Sequence, residues 1–302
     1  MMKHTLLFAF ICFTFRASAQ DTTMPKSRPV ELFTSERAIN ANTPGTIGKG
    51  NMAFRVAHNF GDIGGKNGGV EKFWGLDATS DIRIGFDIGI GEKLDLILGR
   101  AKGGSLVQQL WEIALKYQLL QQMEDGSGSP IAATLYTNMV ISTQPENAMP
   151  NLENSYENIG DRVSTLFQLI IARKFGGVTI SVLPTYLTRG YALPYDEKNY
   201  FAMGWAVRVP IIPRKFNMLV DYFHVFRDDA VKLAFYENIK RRFYDPLGIG
   251  FEYIVGGHVF RMNFTNSTDI LPNRFIPNTF TSWSKGQFRW GFTISRNFRL
   301  WR

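Results

Sequence analysis

The chain has 302 residues, with 34 Lys and Arg against 26 Asp and Glu and a formal net charge of +8. Hydrophobic residues make up 45% and charged residues 20%, which excludes a disordered or collagen-like chain. Beyond the N-terminal stretch no apolar run reaches the roughly 18 residues of a membrane-crossing helix, so a helical membrane bundle is excluded too. The positive residues are dispersed and do not cluster on a motif, so the charge does not point to nucleic acid.

Residues 1–19 read as a secretory signal. Lys3 and His4 form the charged start, Thr5 to Phe15 the apolar block, and Ala17-Ser18-Ala19 a small-residue cleavage site before Gln20. The single cysteine, Cys12, lies inside the apolar block behind Phe10 and Ile11, away from any lipidation position. The exported chain then has no thiol, which excludes a disulfide scaffold, a cysteine nucleophile and a cysteine metal site. Residues 20–49 are polar, rich in Thr, Pro and Asn, and without a clear period; they read as an N-terminal periplasmic lead-in.

From Asn51 onward apolar and polar residues alternate with period two, in segments bounded by Gly, Asn, Asp or Pro. Met52, Phe54 and Val56 oppose Arg55 and Asn59. In the clearest segment Ile82, Ile84, Phe86, Ile88 and Ile90 oppose Arg83, Gly85, Asp87 and Gly89. A helix would scatter those isoleucines around its circumference. The split recurs in the segments around Leu96, Leu115, Leu169, Trp205, Val220, Phe251, Met262 and Trp290. It is weaker near 131–141 and 178–187, where Thr and Ser intervene. About twelve strands result. Long connections near 61–80, 142–160, 188–199, 227–245 and 267–285 alternate with short ones near 91–93, 122–129, 175–177, 212–214 and 256–257; 102–106 is short where a long one is due.

A soluble sandwich also alternates. Three features favour a closed antiparallel transmembrane barrel over residues 50–302. The segments match the ~9–11 residues of a tilted membrane strand. Loop lengths alternate, as they do between the outer and periplasmic ends of such barrels. Small residues crowd the polar face. Trp74, Trp111, Tyr186, Tyr191, Tyr195, Tyr200, Trp283 and Trp301 fall near strand ends, as interfacial girdles do. The ending Phe298-Arg299-Leu300-Trp301-Arg302 approaches the aromatic-terminated strand that the barrel-assembly machinery takes up, with Arg302 added.

Gly50 to Gly61 (GNMAFRVAHNFG), Trp74-Gly75-Leu76-Asp77, Ile82-Arg83-Ile84-Gly85 and Leu98-Gly99-Arg100, followed by Leu115 to Gln122 (LKYQLLQQ), together resemble a family of outer-membrane β-barrels of unknown function common in Bacteroidetes. The resemblance implies a barrel in the bacterial outer membrane, surrounded by its lipid, and supplies no reaction. Asn59 after His58 departs from the basic residue typical there.

Candidate chemistry is sparse. Beyond the signal the histidines are His58, His224 and His258. The first two fall in the outward register, where beside a serine they would suit a lipid hydrolase. Glu146, Glu153, Glu157 and Asp161 form an oxygen-rich loop that could bind calcium but matches no EF-hand spacing. Gly85, Gly89 and Gly91 lack the strand–loop–helix setting of a nucleotide loop and read as relief of lumen crowding. The inward set is Arg55, Arg83, Asp87, Asp95, Glu112, Lys116, Arg162, Arg208, Asp221, Glu252, Arg261 and Arg289. Such an interior is either a narrow porin-like channel or binder for a small polar or anionic solute, or a closed, salt-bridged core. The channel is the leading expectation. A closed barrel docking a partner protein is the alternative, and neither requires a cofactor, a metal or an enzymatic reaction.

Overall fold

The computed structural model describes residues 27–301; the signal reading of residues 1–19 lies outside them. Twelve strands close into one antiparallel barrel: β1 Asn51–Asp62, β2 Thr79–Gly89, β3 Leu94–Ala101, β4 Leu110–Leu120, β5 Ala132–Ser142, β6 Val163–Phe175, β7 Val178–Arg189, β8 Asn199–Ile212, β9 Phe216–Phe226, β10 Leu247–Val255, β11 His258–Thr265 and β12 Arg289–Arg299. Each pairs with its neighbour in the chain, and β12 closes on β1 with Asn51 opposite Arg299 and His58 opposite Phe292. Closure leaves no open edge to be satisfied in lipid.

The period-two pattern dictates the two faces. In β2, Arg83, Gly85 and Asp87 are buried inside, while Ile84 and Phe86 stay exposed on the outer wall. Buried charges and exposed aliphatics recur from strand to strand. That is the inverse of a soluble sandwich and fits hydrocarbon outside the wall. Connections 90–93, 121–131, 176–177, 213–215 and 256–257 share one end with the start of β1 and the finish of β12, and 63–78, 102–109, 143–162, 190–198, 227–246 and 266–288 share the other. The first end is periplasmic by the usual placement of short turns. The connection after β3 remains the shortest at the loop end. The one after β4 is the longest at the turn end, where it pairs with the N-terminal segment: Val30 N–H donates to Gln122 O at 2.9 Å and Glu124 N–H to Arg28 O at 2.9 Å.

Two helices interrupt the loops. α1, Asp229–Ile239, starts under an Asp228 cap whose carboxylate accepts from Ala230 N–H, and ends at a left-handed Lys240. α2, Pro272–Phe275, is a single turn buried within the 266–288 connection. Trp111, Tyr186, Trp74, Tyr195 and Trp301 are exposed, as girdle residues must be. Tyr200 corrects the sequence reading: one register step turns it inward, where its hydroxyl donates to Asp196 Oδ1 at 2.7 Å.

Ile84, at the middle of β2, provides a test of the outer wall. Ile84→Arg should lower the stability of the vesicle-folded protein by about 2–4 kcal/mol in denaturant titration. A loss below about 1 kcal/mol would place Ile84 at an interface rather than in the hydrocarbon.

Candidate functional site: a lumen filled from both ends

The described part of the N-terminal segment becomes buried from Leu32 onward and folds back on itself inside the barrel. The turn is local. Ala38 N–H donates to Ala41 O at 2.8 Å, Thr43 N–H to Glu36 O at 3.1 Å, and Arg37 bridges to Asn42. Its tip wraps the Asp221 carboxylate of β9, which accepts from the backbone N–H groups of Ile39, Asn40 and Ala41 at 3.1, 2.5 and 2.8 Å. Successive N–H groups curled around one carboxylate form an anion nest. Other parts of this hairpin reach the rest of the wall. Asn42 Nδ2 donates to Gln168 Oε1 of β6 at 2.9 Å. Thr34 bonds to Glu252 of β10, and Asn40 Nδ2 donates to Thr265 Oγ1 of β11 at 3.3 Å. Near the turn end the hairpin is tied by Glu31 to Arg208 at 2.8 Å, by Pro44 O to Thr134, by Gly45 O to Lys116 Nζ at 3.1 Å, and by Ile47 N–H to Asp95 at 3.1 Å.

The inward charges meet this hairpin and one another. Glu112 is the centre. Its Oε2 accepts from Arg83 Nε and Nη2 at 2.8 and 2.5 Å; its Oε1 accepts from Arg37 Nη2, Tyr136 Oη and Asn138 Nδ2 at 3.2, 3.0 and 3.2 Å. Arg83 reaches it by lying across Gly85 and Gly99, where an added Cβ would stand 2.4 and 2.8 Å from guanidinium atoms. Arg55 stands between Asp87 at 3.7 Å and Glu36 at 4.0 Å. Arg261 pairs with Glu252 at 2.7 Å and Arg289 with Asp62 at 2.6 Å. Eleven of the twelve inward candidates are buried. Arg162 is the exception: it lies in the turn before β6, half-buried, stacked 4.4 Å over Tyr156.

The 266–288 connection fills the loop end. Ile270 N–H and Gly103 N–H donate to Asp81 of β2 at 2.9 and 2.7 Å. Arg274 of α2 binds Glu153 through both guanidinium nitrogens at 2.6 and 2.9 Å, and Asn278 Nδ2 adds a bond at 2.7 Å. Burial alone would raise the Glu153 carboxyl, but Arg274 and then Arg189 outweigh it and hold it at about 2. The two inserted segments touch: Arg37 Nη1 donates to Ile270 O at 3.4 Å, and Ala38 and Ala41 share an apolar cluster with Phe275 and Ile276. Inward-facing Leu166, Ile170, Leu183, Leu187 and Phe223 complete that cluster.

Sequence reasoning missed Glu36, Arg37, Asp62, Asp81, Glu153, Arg189, Asp196 and Arg274 as interior groups, and Glu31 as the partner of Arg208 at the turn end. One signal was present. β6 and β7 carry aliphatics at both parities, which an open aqueous pore would wet and a filled interior buries. Glu153 is spent on Arg274, and no group of metal-ligating side chains occurs among the described residues. His58 packs at a tilt against Phe60, ring centres 4.2 Å apart, and His258 lies 3.4 Å from Arg296 Nη1. His224 Nδ1 is 2.9 Å from Asp245 Oδ2, and no hydroxyl bonds to its Nε2 among the described residues.

The wall and its contents define a closed, internally plugged outer-membrane β-barrel. The chain belongs to the family described as membrane bound beta barrel domain (DUF5777), whose model matches residues 33–298 and so takes in most of the hairpin as well as the wall. Solved structures similar to the chain include three membrane proteins. The NanC porin is 7% identical, with TM-score 0.45 over 82% of this chain and 100% of its own. The COG4313 outer membrane channel from Pseudomonas putida F1 is 11% identical, with TM-score 0.48 over 84% and 97%. Omp33 from Acinetobacter baumannii is 7% identical, with TM-score 0.39 over 82% and 98%. No curated protein matches the chain.

Glu112→Gln strands Arg37 and Arg83 without a counter-charge and should cost about 3–5 kcal/mol in denaturant unfolding. Glu153 is held below its ordinary value of 4.5, so its contribution is complete above that pH and is lost as pH falls from there toward about 2. The unfolding midpoint should therefore drop across that window, and Glu153→Gln should flatten the drop while lowering the midpoint at neutral pH.

Proposed function

We propose that the chain works as a closed barrel, presenting its outer loops and periplasmic end to ligands or partners instead of passing solutes by free diffusion. The observation that carries this reading is the path of the hairpin. Its side chains and backbone bond to β4, β6, β9, β10 and β11, on opposite sides of the lumen, and the 266–288 connection meets it from the far end. A tube with both walls tied to a segment between them has no free axis. The inward charges support the same reading, since most of them pair with each other or with the plug.

A second reading, a plug-gated channel for a small anion, is favoured by how the hairpin is held. Ion pairs and hydrogen bonds can be exchanged for water more readily than apolar packing. Cavities of about 450 and 210 Å³ already flank the hairpin at the turn end. Withdrawal would release Arg55 from Glu36 and Arg208 from Glu31, leaving guanidinium groups facing the passage. The His224–Asp245 pair has no nucleophile bonded to it among the described residues, so it carries no proposal of a reaction.

The cysteine-free mature chain allows a direct test. A disulfide between Asn42→Cys and Gln168→Cys tethers the hairpin to β6. Planar-bilayer recordings of the untethered protein should be silent, as should those of the tethered one. Steps that appear only after reduction would establish the gated channel instead, and steady conductance in the tethered form would overturn the closed reading altogether.

A further inference from the structure

Three outer connections, 63–78, 227–246 and 266–288, surround a pocket of about 580 Å³ at the loop end of the barrel. We propose that this pocket binds a multiply charged phosphate-type oxyanion at the outer surface, independently of whether the lumen ever conducts. Four cations line it, Lys240, Arg241, Arg242 and Lys285, and no Asp or Glu does. None of the four makes an ion pair among the described residues, although nearly every buried arginine of the lumen does. Four like charges around one concavity repel one another, and a polyanion relieves that cost.

The cations are also positioned. Arg241 stacks over Phe280 at 4.8 Å, Arg242 over Tyr236 at 4.5 Å, and Lys285 lies 5.8 Å from the Tyr244 ring centre. Stacking holds a guanidinium plane while leaving its edge N–H groups free for bidentate contact with phosphate oxygens. Lys240 is held by backbone: it ends α1 in the left-handed conformation, its N–H bonded to Tyr236 O at 3.0 Å. The carbonyl end of α1 would satisfy one cation by itself. It does not account for Arg241, Arg242 and Lys285, which stack on loop and helix aromatics.

Aromatic residues Trp283 and Phe288 flank the pocket's Lys285 and Gln287 in the chain. Trp283 stacks on Phe288 at 4.4 Å, and Trp290 donates to the Trp74 carbonyl at 3.1 Å. Aromatic belts mark the headgroup level of a membrane. The shared chemistry is therefore a phosphate, presented either by an outer-leaflet lipid headgroup or by a soluble ligand.

The test uses the full chain, folded in detergent or in nanodiscs, with heat-modifiable gel mobility to confirm folding. The detergent-solubilised protein is titrated with inorganic pyrophosphate by calorimetry. The nanodisc form, in phosphatidylcholine with added phosphatidic acid, is analysed for retained phosphatidic acid by native mass spectrometry. The variants are Arg241→Gln, Arg242→Gln and Lys285→Gln, singly and together. Lys232→Gln, whose lysine already pairs with Asp229 at 2.9 Å, is the control. Each single change should weaken binding about tenfold. The triple variant should lose it, and Lys232→Gln should leave it unchanged. Pyrophosphate binding alone identifies a soluble ligand, phosphatidic acid retention alone a headgroup, and both outcomes support the site. Absence of binding in both arms, or binding equal in the folded triple variant, overturns it.

Discussion

A carboxylate inside a membrane barrel has lipid beyond the wall and must be neutralised from the lumen side. Glu112 is where this constraint is sharpest. It is buried on β4, and it draws Arg83 across two glycines of the wall and Arg37 from the inserted hairpin. Removing Glu112 leaves both guanidinium groups without it in a dry interior, which is far more costly than the pairing is stabilising. The hairpin is thus part of the charge balance of the wall.

The same logic extends to both inserted segments. Asp221 takes the backbone of the hairpin tip, Asp81 takes the backbone of the 266–288 connection, and Glu153 takes Arg274. Twelve strands enclose more space than wall side chains can fill. Here backbone fills it, and backbone brings N–H groups that need acceptors. The acids of the wall supply them. Between the two polar levels lies an apolar layer, with Phe275 packed edge-on against Phe223 at 5.3 Å and the small Ala38 and Ala41 beside them. Polar bonds give the segments their register, and apolar burial excludes water from the middle.

The contrast between interior and outer mouth follows from the same accounting. In the lumen, arginines meet carboxylates almost without exception. At the loop end Arg241, Arg242 and Lys285 meet only aromatic faces. Charges left unpaired at a wet surface cost little by themselves, so their grouping around one concavity is a property of the mouth and not a requirement of the fold.

The wall was legible because its period is local. Each strand's alternation of Ile82, Ile84 and Phe86 with Arg83, Gly85 and Asp87 reports which side faces lipid, whatever the neighbouring strand does. Strand number, the sharing of one end by the start of β1 and the finish of β12, and the inward direction of residues such as Arg55, Glu112 and Asp221 followed from that period and from the lengths of the connections. The contents of the lumen were not legible in this way. Glu36, Arg37 and Asn40 sit in a segment without period, and the partners of Arg37 on β4 and of Asn40 on β9 lie far along the chain. Tyr200 was misread because it was placed by its nearness to a strand end and not by its parity: it alternates with the outward Phe201, and its hydrogen bonds to Asp196 and Arg189 fix it inside. The aliphatics at both parities of β6 and β7 implied a dry interior but could not name what dries it. The sequence by itself determined a closed antiparallel barrel with a charged inner face, because side-chain alternation is a property of single strands. Only the tertiary structure decided that the lumen is filled, because the filling rests on contacts between segments distant in the chain, which no local pattern encodes.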